Sequence, residues 1–356
     1  MSAAPESTAS HAPIRLARPA PSLRQPEGLD EVEVLMRQLA CSLDDRAGAM
    51  AKQHLATGGK RLRARLALTA CEALGGASRH GIAFGAAVEL LHNATLVHDD
   101  VQDGDTFRRG APTLWAAHGT AQAINAGDFL LMLPYLAVAE VPGHLQGGLC
   151  RALAHHAIRT VRGQMAELDL LPEERLGWRD YTEAIAGKTG ALIGLPVCGA
   201  ALISGASWPY AQRLSLAFER LGVLFQLQDD VLDLYGDKGR AQVGCDLFEG
   251  KVSALVVAHL ERHPQDRERL LGLLRAPRVS TRPEDVRATI VAFRQSGALE
   301  EVLDRISLLM HETRTCPVLR EEPALHQLAL DLASLAVAPI QRLIDPDSGK
   351  LSGDHV

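Results

Sequence analysis

The sequence predicts an all-α fold built as one large domain. Apolar residues recur at helical spacing along most of the 356 residues, and no segment alternates apolar and polar residues as a half-buried strand does. Aromatic residues make up only 4% of the chain, while Ala and Leu are abundant, which favours helices over sheets. At 47% apolar residues, a chain of this length can bury one large helical core.

Composition excludes several classes of protein. The net charge of -6 argues against a nucleic-acid-binding protein, and no uninterrupted apolar run looks long enough for a membrane span. Six cysteines lie far apart without any C-x-x-C pair, which predicts reduced, mostly buried thiols, with neither a disulfide framework nor a zinc site. We therefore expect an ordinary globular protein of the cytoplasm.

The two ends of the chain differ from its middle. Residues 1–28 are rich in Ala, Pro and Ser and are predicted to be a flexible tail; residues 346–356 form a second tail, and the helical domain spans 29–345. An N-terminus rich in Arg and poor in acids is also typical of an organelle transit peptide. The tail interpretation is favoured because no amphipathic period is evident.

The first chemical pattern follows a helical segment, Leu29 to His54. Gly58 and Gly59 break the helix, and four cationic residues follow within six positions: Lys60, Arg61, Arg63 and Arg65. Cations at the start of a helix oppose its dipole, whereas a glycine turn before a helix N-terminus can bind an anion such as a diphosphate. The alternative is that these cations begin a helix and are simply exposed to solvent, without binding an anion.

The second pattern is an acidic cluster at the end of the apolar helix Ile82–Val97. Asp99 and Asp103 lie one helical turn apart, with Asp100 beside them, so a divalent cation such as Mg²⁺ is expected between them. His92 lies on the same face two turns below, where an ordinary core histidine is the alternative. Arg108 and Arg109 follow, and paired guanidinium groups can hold phosphate oxygens.

Helical patterns continue through the middle of the chain. They cover Gln122–Val138, which Pro134 is expected to bend, Leu153–Leu168, which carries Gln164 and Glu167, and Tyr181–Ala200. His155 and His156 are predicted to be surface residues. Lys188 and Thr189 interrupt the last of these patterns, so the lysine either reaches solvent or faces a polar cavity.

A second acidic cluster repeats the spacing of the first. Asp229, Asp230 and Asp233 end the helical pattern Leu214–Leu234. One such cluster is weak support for a metal site, because a solvated helix end looks the same. Two clusters, each behind an apolar helix and each followed by cations, are hard to explain by solvation alone. We find no chemical pattern in residues 264–345.

Together these features predict a site for a diphosphate carried on a hydrophobic chain. Divalent ions bridging carboxylates and diphosphate would oppose the charge of the group as it leaves. The allylic cation left behind would survive only in a pocket that excludes water. Two basic clusters imply two diphosphates at once, which favours a coupling reaction over hydrolysis.

These residues resemble the all-trans isoprenyl diphosphate synthases of the polyprenyl synthetase family, over Leu29 to Leu343. The resemblance implies an antiparallel helical bundle around one deep cavity, commonly a homodimer, with Mg²⁺ as cofactor, up to three ions, and Mn²⁺ as a substitute. Both acidic clusters match the family's metal-binding motifs on the allylic diphosphate. The implied contacts of isopentenyl diphosphate are Lys60, Arg63, His92 and Arg109.

The resemblance also implies roles for residues between the motifs. Arg108, Lys188 and Lys251 match cationic contacts of the family, Thr189 and Gln226 match positions near the forming carbocation, and Gln164 and Glu167 resemble its Gln-x-x-Asp pair. Two positions depart from the family pattern. Ala64 replaces a proline, and Arg240 stands in a loop, one residue longer, where the family has lysine, so its contact with the allylic diphosphate stays open.

Product length is expected to follow the depth of the pocket. Ala94 and Thr95, just below Asp99, are small, which disfavours a short product and predicts geranylgeranyl diphosphate. The floor is expected at Leu91 or Val88, or at Met132 and Tyr135. The alternatives are a synthase of farnesyl or longer polyprenyl diphosphates, a class I terpene cyclase, a non-catalytic subunit that modulates a partner, and a lipid-binding protein.

Overall fold

The computed structural model describes Leu23 and residues 26–41, 46–236 and 243–344, and these residues are almost wholly helical. The α-helices are α1 Leu29–Cys41, α2 Arg46–Ala56, α3 Leu62–Ala73, α4 Ser78–Asp103, α5 Leu114–His118, α6 Thr120–Ala139, α7 Gly143–Leu170, α8 Trp178–Ile185, α9 Ala191–Ile203, α10 Trp208–Tyr235, α11 Cys245–Phe248, α12 Ala254–Arg262, α13 Arg267–Leu274, α14 Pro283–Gln295, α15 Ala298–Thr315, α16 Pro317–Arg320, α17 Pro323–Val337 and α18 Gln341–Ile344. The prediction of an all-α fold is confirmed.

The remaining regular elements are short. A π-helical turn, Ala186–Gly190, joins α8 to α9, and three 3-10 turns cover Pro264–Asp266, Arg278–Ser280 and Ala338–Ile340. Within the described residues the only strands are β1 Phe107–Arg108 and β2 Ala111–Pro112, which pair antiparallel. Two-residue strands leave no alternating pattern in the sequence, so this hairpin was not predicted.

Two long helices, α4 and α10, organise the bundle. Helix α4 packs against α3, α6 and α9, and α10 packs against α9, α15, α17 and the π-helical turn. Small residues allow close approach: a Cβ on Gly199 of α9 would overlap the ring of Phe84 on α4. Phe225 of α10 packs against both hydrophobic clusters of the molecule, the one around α4 and the one around α12 and α15.

The long helices extend past their apolar patterns. Helix α4 continues to Asp103 and ends at Gly104, whose φ of 69° is left-handed. The first acidic cluster therefore occupies the last turn of α4, and the second occupies the last turns of α10, which ends at Tyr235. The sequence had placed both acidic clusters at helix ends, and its pattern Leu214–Leu234 stops one residue before Tyr235, within the usual uncertainty of a helix boundary.

The expectation about membrane spans needs correction. Among the described residues, three helical segments are long and apolar enough to cross a membrane by composition: Thr120–Ala139, Trp178–Ile203 and Pro323–Ile344, with mean hydropathy 1.2, 1.5 and 1.2. Their apolar windows are 44%, 78% and 44% buried inside the bundle. Hydropathy alone does not separate such a core helix from a membrane helix, and here the burial is supplied by neighbouring helices.

The cysteine prediction is only partly right. None of the six cysteines, all of which lie within the described residues, forms a disulfide. Cys41 is exposed, Cys150 and Cys316 are half-buried, and Cys71, Cys198 and Cys245 are buried.

The predicted tails lie outside the described residues except for Leu23 and residues 26–28, and Arg240 lies outside them too. The described helices begin at Leu29 and end at Ile344, and the domain limits stay a prediction.

Candidate active site

The first acidic cluster presents two of its carboxylates to the interior and uses the third to fix a cation. Asp100 is buried, and its Oδ1 accepts hydrogen bonds from Arg108 Nε and Nη2, both at 2.6 Å. Asp99 and Asp103 are only partly buried. Burial raises the pKa of Asp99 to about 6, and the repulsion of Asp103 adds to the rise while Lys188 opposes it. This turn therefore carries negative charge in need of a cation.

The second acidic cluster is fixed by hydrogen bonds from the surrounding protein. Asp230 Oδ2 accepts hydrogen bonds from Tyr181 Oη at 2.6 Å and from the backbone N–H of Ala254 at 2.7 Å, and Oδ1 accepts one from Gln226 Nε2 at 3.0 Å. Burial raises the pKa of Asp230 to about 6 despite these bonds. Asp233 Oδ2 accepts a bond from the backbone N–H of Asp246 at 3.1 Å, while Asp229 is exposed.

The prediction that all six aspartates ligate metal stays a prediction, but the six carboxylates differ in their protein contacts. Each cluster has a buried member held by protein donors, Asp100 in one and Asp230 in the other, and Asp233 fixes the loop that follows. The more exposed members are Asp99, Asp103 and Asp229. A periodic pattern shows which residues share a helix face but cannot show which of them a neighbouring donor will engage.

Cationic and polar side chains bridge the two clusters. Lys251, from the loop after the second cluster, places Nζ 3.0 Å from Asp103 Oδ2 in the first. Thr189 Oγ1 donates to Gln226 Oε1 at 3.2 Å, and Gln226 in turn holds Asp230. Lys188 forms an ion pair with Glu167. These contacts place the two clusters close to each other, and a shared substrate space between them stays a prediction.

Both bridging lysines are strongly held in the charged form. Burial lowers the pKa of Lys188, but Glu167 and Asp99 outweigh it, and the net shift is upward. Lys251 behaves in the same way, because Asp103 and Glu249 raise its pKa further than burial lowers it. Both ammonium groups therefore remain available to an anionic substrate throughout the physiological range.

The π-helical turn that carries Lys188 and Thr189 is fixed by close backbone contact. A Cβ on Gly163 of α7 would overlap Lys188 N and would lie 2.5 Å from Gly187 C. The next residue of α7, Gln164, donates to Gln102 Oε1 on α4 at 2.8 Å, while its own buried Oε1 has no hydrogen-bond partner. π-helical turns are common at functional sites, and here the turn aims two side chains between the clusters.

The predicted anion site forms beside the first acidic cluster. Arg109 has a φ of 52° at the tip of the hairpin, and its guanidinium donates to Gly58 O and lies against Gly59. Arg63 is partly buried, and its Nε has no hydrogen-bond partner. Burial and the neighbouring arginines, Arg63 first, lower the pKa of His92 well below its usual value, so the imidazole is neutral. Lys60 is exposed at the rim.

The predicted cluster of four cations is smaller than expected. Arg61, only 5% exposed, turns inward to ion pairs with Glu33 and Glu89 and donates to Leu55 O at 3.1 Å. Arg65 donates to Leu23 O at 3.2 Å. The charge of Arg61 is therefore balanced within the fold, and Lys60, Arg63 and Arg109 are left to bind an anion.

Several residues of the site left no recognisable signal in the sequence. His54 of α2 is buried, its pKa is lowered to about 4 by burial and by Arg108 and Arg109, and its Nε2 has no hydrogen-bond partner. Tyr181 holds Asp230 from a different helix. Outside the site, His156, predicted at the surface, is instead 1% exposed and hydrogen-bonded to Ala152 O and Ser215 Oγ. Tertiary contacts place all three, so a local pattern could not find them.

The carboxylate oxygens of the site suit Mg²⁺ if oxygens from other molecules complete its coordination shell. In the described ranges no three His, Cys, Asp or Glu side chains lie close enough to hold an ion by themselves. The buried Oδ2 of Asp100 has no hydrogen-bond partner, and Asp99 and Asp103 offer only oxygen ligands. Mg²⁺ commonly takes one or two carboxylates plus water and phosphate oxygens, which matches this set.

The predicted pocket floor is only partly supported. Val88 and Leu91 are buried on the face of α4 below Asp99. Met132 and Tyr135 are 55% and 39% exposed, on the face of α6 opposite to the buried residues Leu130 and Leu133. The period of α6 turns these two side chains away from α4, so they do not close a pocket at α4 within one chain.

Comparison with known proteins gives this arrangement a family. The profile of the polyprenyl synthetase family matches residues 45–292, more than half of the chain. The chain belongs to the polyprenyl synthetase family. A short chain isoprenyl diphosphate synthase of Methanothermobacter thermautotrophicus is 36% identical over 231 residues, 63% of this chain and 70% of that protein. A geranylgeranyl diphosphate synthase of Mycobacterium tuberculosis is 36% identical over 241 residues, 65% and 67% of the two chains.

Solved structures of polyprenyl synthetase relatives share the architecture. A geranylgeranyl pyrophosphate synthase superposes with a TM-score of 0.78 at 25% identity, covering 87% of this chain and 96% of that one. A polyprenyl synthase from Caulobacter crescentus, complexed with calcium and isoprenyl diphosphate, superposes with a TM-score of 0.77 at 27% identity, covering 90% and 99%. The helical bundle is therefore that of the polyprenyl synthetase family.

Proposed function

We propose that this chain is a trans-prenyltransferase that joins isopentenyl diphosphate to an allylic diphosphate and makes geranylgeranyl diphosphate. The observation that carries the proposal is the contact between Lys251 and Asp103, which brings the two acidic clusters to one mouth beside the anion site of Arg63 and Arg109. Relatives named geranylgeranyl diphosphate synthase support the product. Farnesyl and longer-chain products are the alternatives, since relatives of both kinds exist.

The allylic diphosphate would bind between the two acidic clusters. Lys188, Lys251 and Arg108 would hold its oxygens, and Asp99, Asp103 and Asp229 would hold Mg²⁺ against them. Mg²⁺, or Mn²⁺ in its place, would supply Lewis-acid stabilisation of the charge on the leaving diphosphate. Asp100 would keep Arg108 in position, because their two hydrogen bonds at 2.6 Å fix the guanidinium.

The second substrate would bind in the neighbouring anion site. Arg63, Arg109 and Lys60 would hold isopentenyl diphosphate, with the neutral His92 as a hydrogen-bonding partner. Thr189 and Gln226 would lie near the allylic cation, where their oxygens can stabilise positive charge, and the apolar wall below would exclude water. Attack of the isopentenyl double bond on the allylic cation would form the new carbon–carbon bond and leave a tertiary carbocation, which would form its double bond by losing a proton to the released pyrophosphate.

The oligomer that we propose is a homodimer in the cytoplasm. Helices α6 and α7 pack against each other and leave a shared row of apolar side chains in solvent: Met132, Tyr135, Leu136, Ile158, Val161, Met165 and Leu168. Adjoining exposed apolar residues mark an interaction surface, and a second copy of the chain offers a surface of the same chemistry. Six cysteines that form no disulfide among the described residues suit a reducing compartment.

The deciding experiment incubates the purified full chain with Mg²⁺, radiolabelled isopentenyl diphosphate and farnesyl diphosphate. We expect elongation to the geranylgeranyl product on chromatography, and loss of turnover in Asp99→Asn. A cyclic hydrocarbon would favour a terpene cyclase, and no turnover without a partner protein would favour a modulating subunit. Leu91→Ala should lengthen the product by opening the floor, whereas Tyr135→Ala should leave product length unchanged.

A further inference from the structure

Glu249 is a nearly buried carboxylate at the mouth of the site to which the proposed reaction assigns no role. It is 10% exposed and lies between two cations, with Oε2 at 3.1 Å from Lys251 Nζ and Oε1 at 3.2 Å from Arg278 Nη1. Lys251 is at the same time 3.0 Å from Asp103 Oδ2. One ammonium group is therefore shared between a carboxylate of the first acidic cluster and Glu249.

The backbone around Glu249 is held firmly. Gly250 has a φ of 71°, and a Cβ there would overlap Leu274 O, so only glycine fits this turn. The N–H of Lys251 donates to Asp246 O at 2.8 Å. These contacts fix the backbone positions of Glu249 and Lys251, so their side chains can reach only a few partners.

Arg278 closes the arrangement from the opposite side. Its Nη1 contacts Glu249 and lies 4.0 Å from Asp105 Oδ1, just past the first acidic cluster. The charged series Asp103, Lys251, Glu249, Arg278 and Asp105 thus begins and ends at the C-terminal end of α4. We call this series the mouth network.

The mouth network creates a competition for Asp103. A divalent cation bound to Asp103 would lie close to Lys251 Nζ, which is 3.0 Å from Asp103 Oδ2, and the two positive charges would repel each other. Lys251 has to shift when the cation binds, and a partly buried ammonium group left without a counter-charge would make that shift costly. Glu249 already contacts Lys251, so it can keep the charge balanced.

We propose that Glu249 is a positioning residue that takes over Lys251 when a divalent cation binds Asp103, and that Arg278 tunes this exchange by competing for Glu249. The inference rests on the proposed function of the site. It predicts that removing the charge of Glu249 leaves Lys251 on Asp103 and weakens cation binding. Removing Arg278 leaves Glu249 free to pair with Lys251 and strengthens cation binding.

The test measures binding rather than turnover. Mg²⁺ with inorganic pyrophosphate is titrated by calorimetry into the full-length wild type, Glu249→Gln and Arg278→Gln. We expect Mg²⁺ affinity to fall about fivefold in Glu249→Gln and to rise about twofold in Arg278→Gln, the size expected for partly exposed ion pairs. Glu249→Asp, which keeps the charge, should stay within about twofold of the wild type.

A matched control separates the exchange from a general field effect. Asp105→Asn removes the same charge from the same network, but Asp105 contacts Arg278 and not Lys251. Equal weakening in Asp105→Asn and Glu249→Gln would overturn the proposal, and so would an unchanged Glu249→Gln. Failure of the wild type to elongate would count against the proposed function alone, because the titration does not depend on catalysis. A folding defect would lower Tm in Glu249→Asp as well.

Discussion

Gly59 shows at the scale of one residue how backbone geometry places a charge. Its φ of 141° is a backbone conformation that glycine adopts readily and other residues rarely adopt. The guanidinium of Arg109 fills the space that a side chain on this residue would occupy. Arg109 and Gly110 both have positive φ, as a tight hairpin turn requires. The anion site thus depends on two turns from distant parts of the sequence that meet at this glycine.

Gly59→Ala should weaken isopentenyl diphosphate binding. The new Cβ would lie 2.6 Å from Arg109 Nη1, so the guanidinium must move away from Gly58 O. We expect KM for isopentenyl diphosphate to rise about tenfold, the loss of roughly one charged hydrogen bond. Gly58→Ala is the matched control, because it has a positive φ but meets nothing within 4 Å. An equal rise in both variants would point to backbone strain instead.

Buried histidines make the folded state less stable in acid. Burial lowers the pKa of His156 to about 4, and that of His54 to about 4. An unfolded histidine takes up its proton near pH 6.5, so the unfolded state binds more protons between about pH 6.5 and 4. Stability is therefore full above about pH 6.5 and falls as the pH drops towards 4, by roughly 2 kcal/mol per histidine at about pH 5.

Urea unfolding at about pH 7.5 and pH 5 checks this prediction. The free energy of unfolding should fall less on acidification in His156→Gln than in the wild type. His144→Gln, an exposed change, is the control and should keep the wild-type pH dependence. If the free energy of unfolding falls as much on acidification in His156→Gln as in the wild type, His156 is not the cause of the fall.

At the scale of the element, the π-helical turn Ala186–Gly190 decides where catalytic groups point. It interrupts the long apolar segment between α8 and α9 and brings Lys188 to Glu167 and Thr189 to Gln226. The close approach of Gly163 and Gly187 leaves no room for a side chain. A π turn carries one more residue than an α turn, so the helical register on its two sides differs.

Gly163→Ala should damage the site through this turn. The methyl group would overlap Lys188 N, so either α7 or the turn must move. We expect kcat to fall at least about 100-fold, with Tm lower by several degrees, as overpacking of about 1–3 kcal/mol implies. Gly148→Ala on the same helix is the control, since its nearest neighbour is Leu202 Cδ1 at 3.8 Å. Full activity in Gly163→Ala would mean that the turn tolerates displacement.

The elements also show what sequence could and could not predict. The acidic clusters, Lys188 and Arg63 were picked out because helical spacing and charge are local properties, whereas Lys251 came only from the resemblance to the family. The hydrogen bonds of Asp100 and Asp230, the inward turn of Arg61 and the burial of His156 were not predicted, since each depends on a partner far along the chain. The hairpin that carries Arg109 was too short to leave a pattern.

At the scale of the whole molecule, the exposed apolar row on α6 and α7 predicts a dimer. Met165→Glu places a charge in this row, and burying it in an interface would be costly. We expect the wild type to elute as a dimer and Met165→Glu as a monomer, measured by size-exclusion chromatography with light scattering. Leu308→Glu, an equally exposed position on α15, should remain dimeric. A monomeric wild type would contradict the prediction.

The segment Trp178–Ile203 has a consequence for synthesis of the protein. Its mean hydropathy of 1.5 is that of a membrane helix, and part of its burial comes from α10, which lies later in the chain. A ribosome adding about 5–20 residues per second needs a few seconds to reach the end of α10. Until α10 has been made and has packed against it, this apolar segment lacks part of its protein cover and is open to contact with other hydrophobic surfaces.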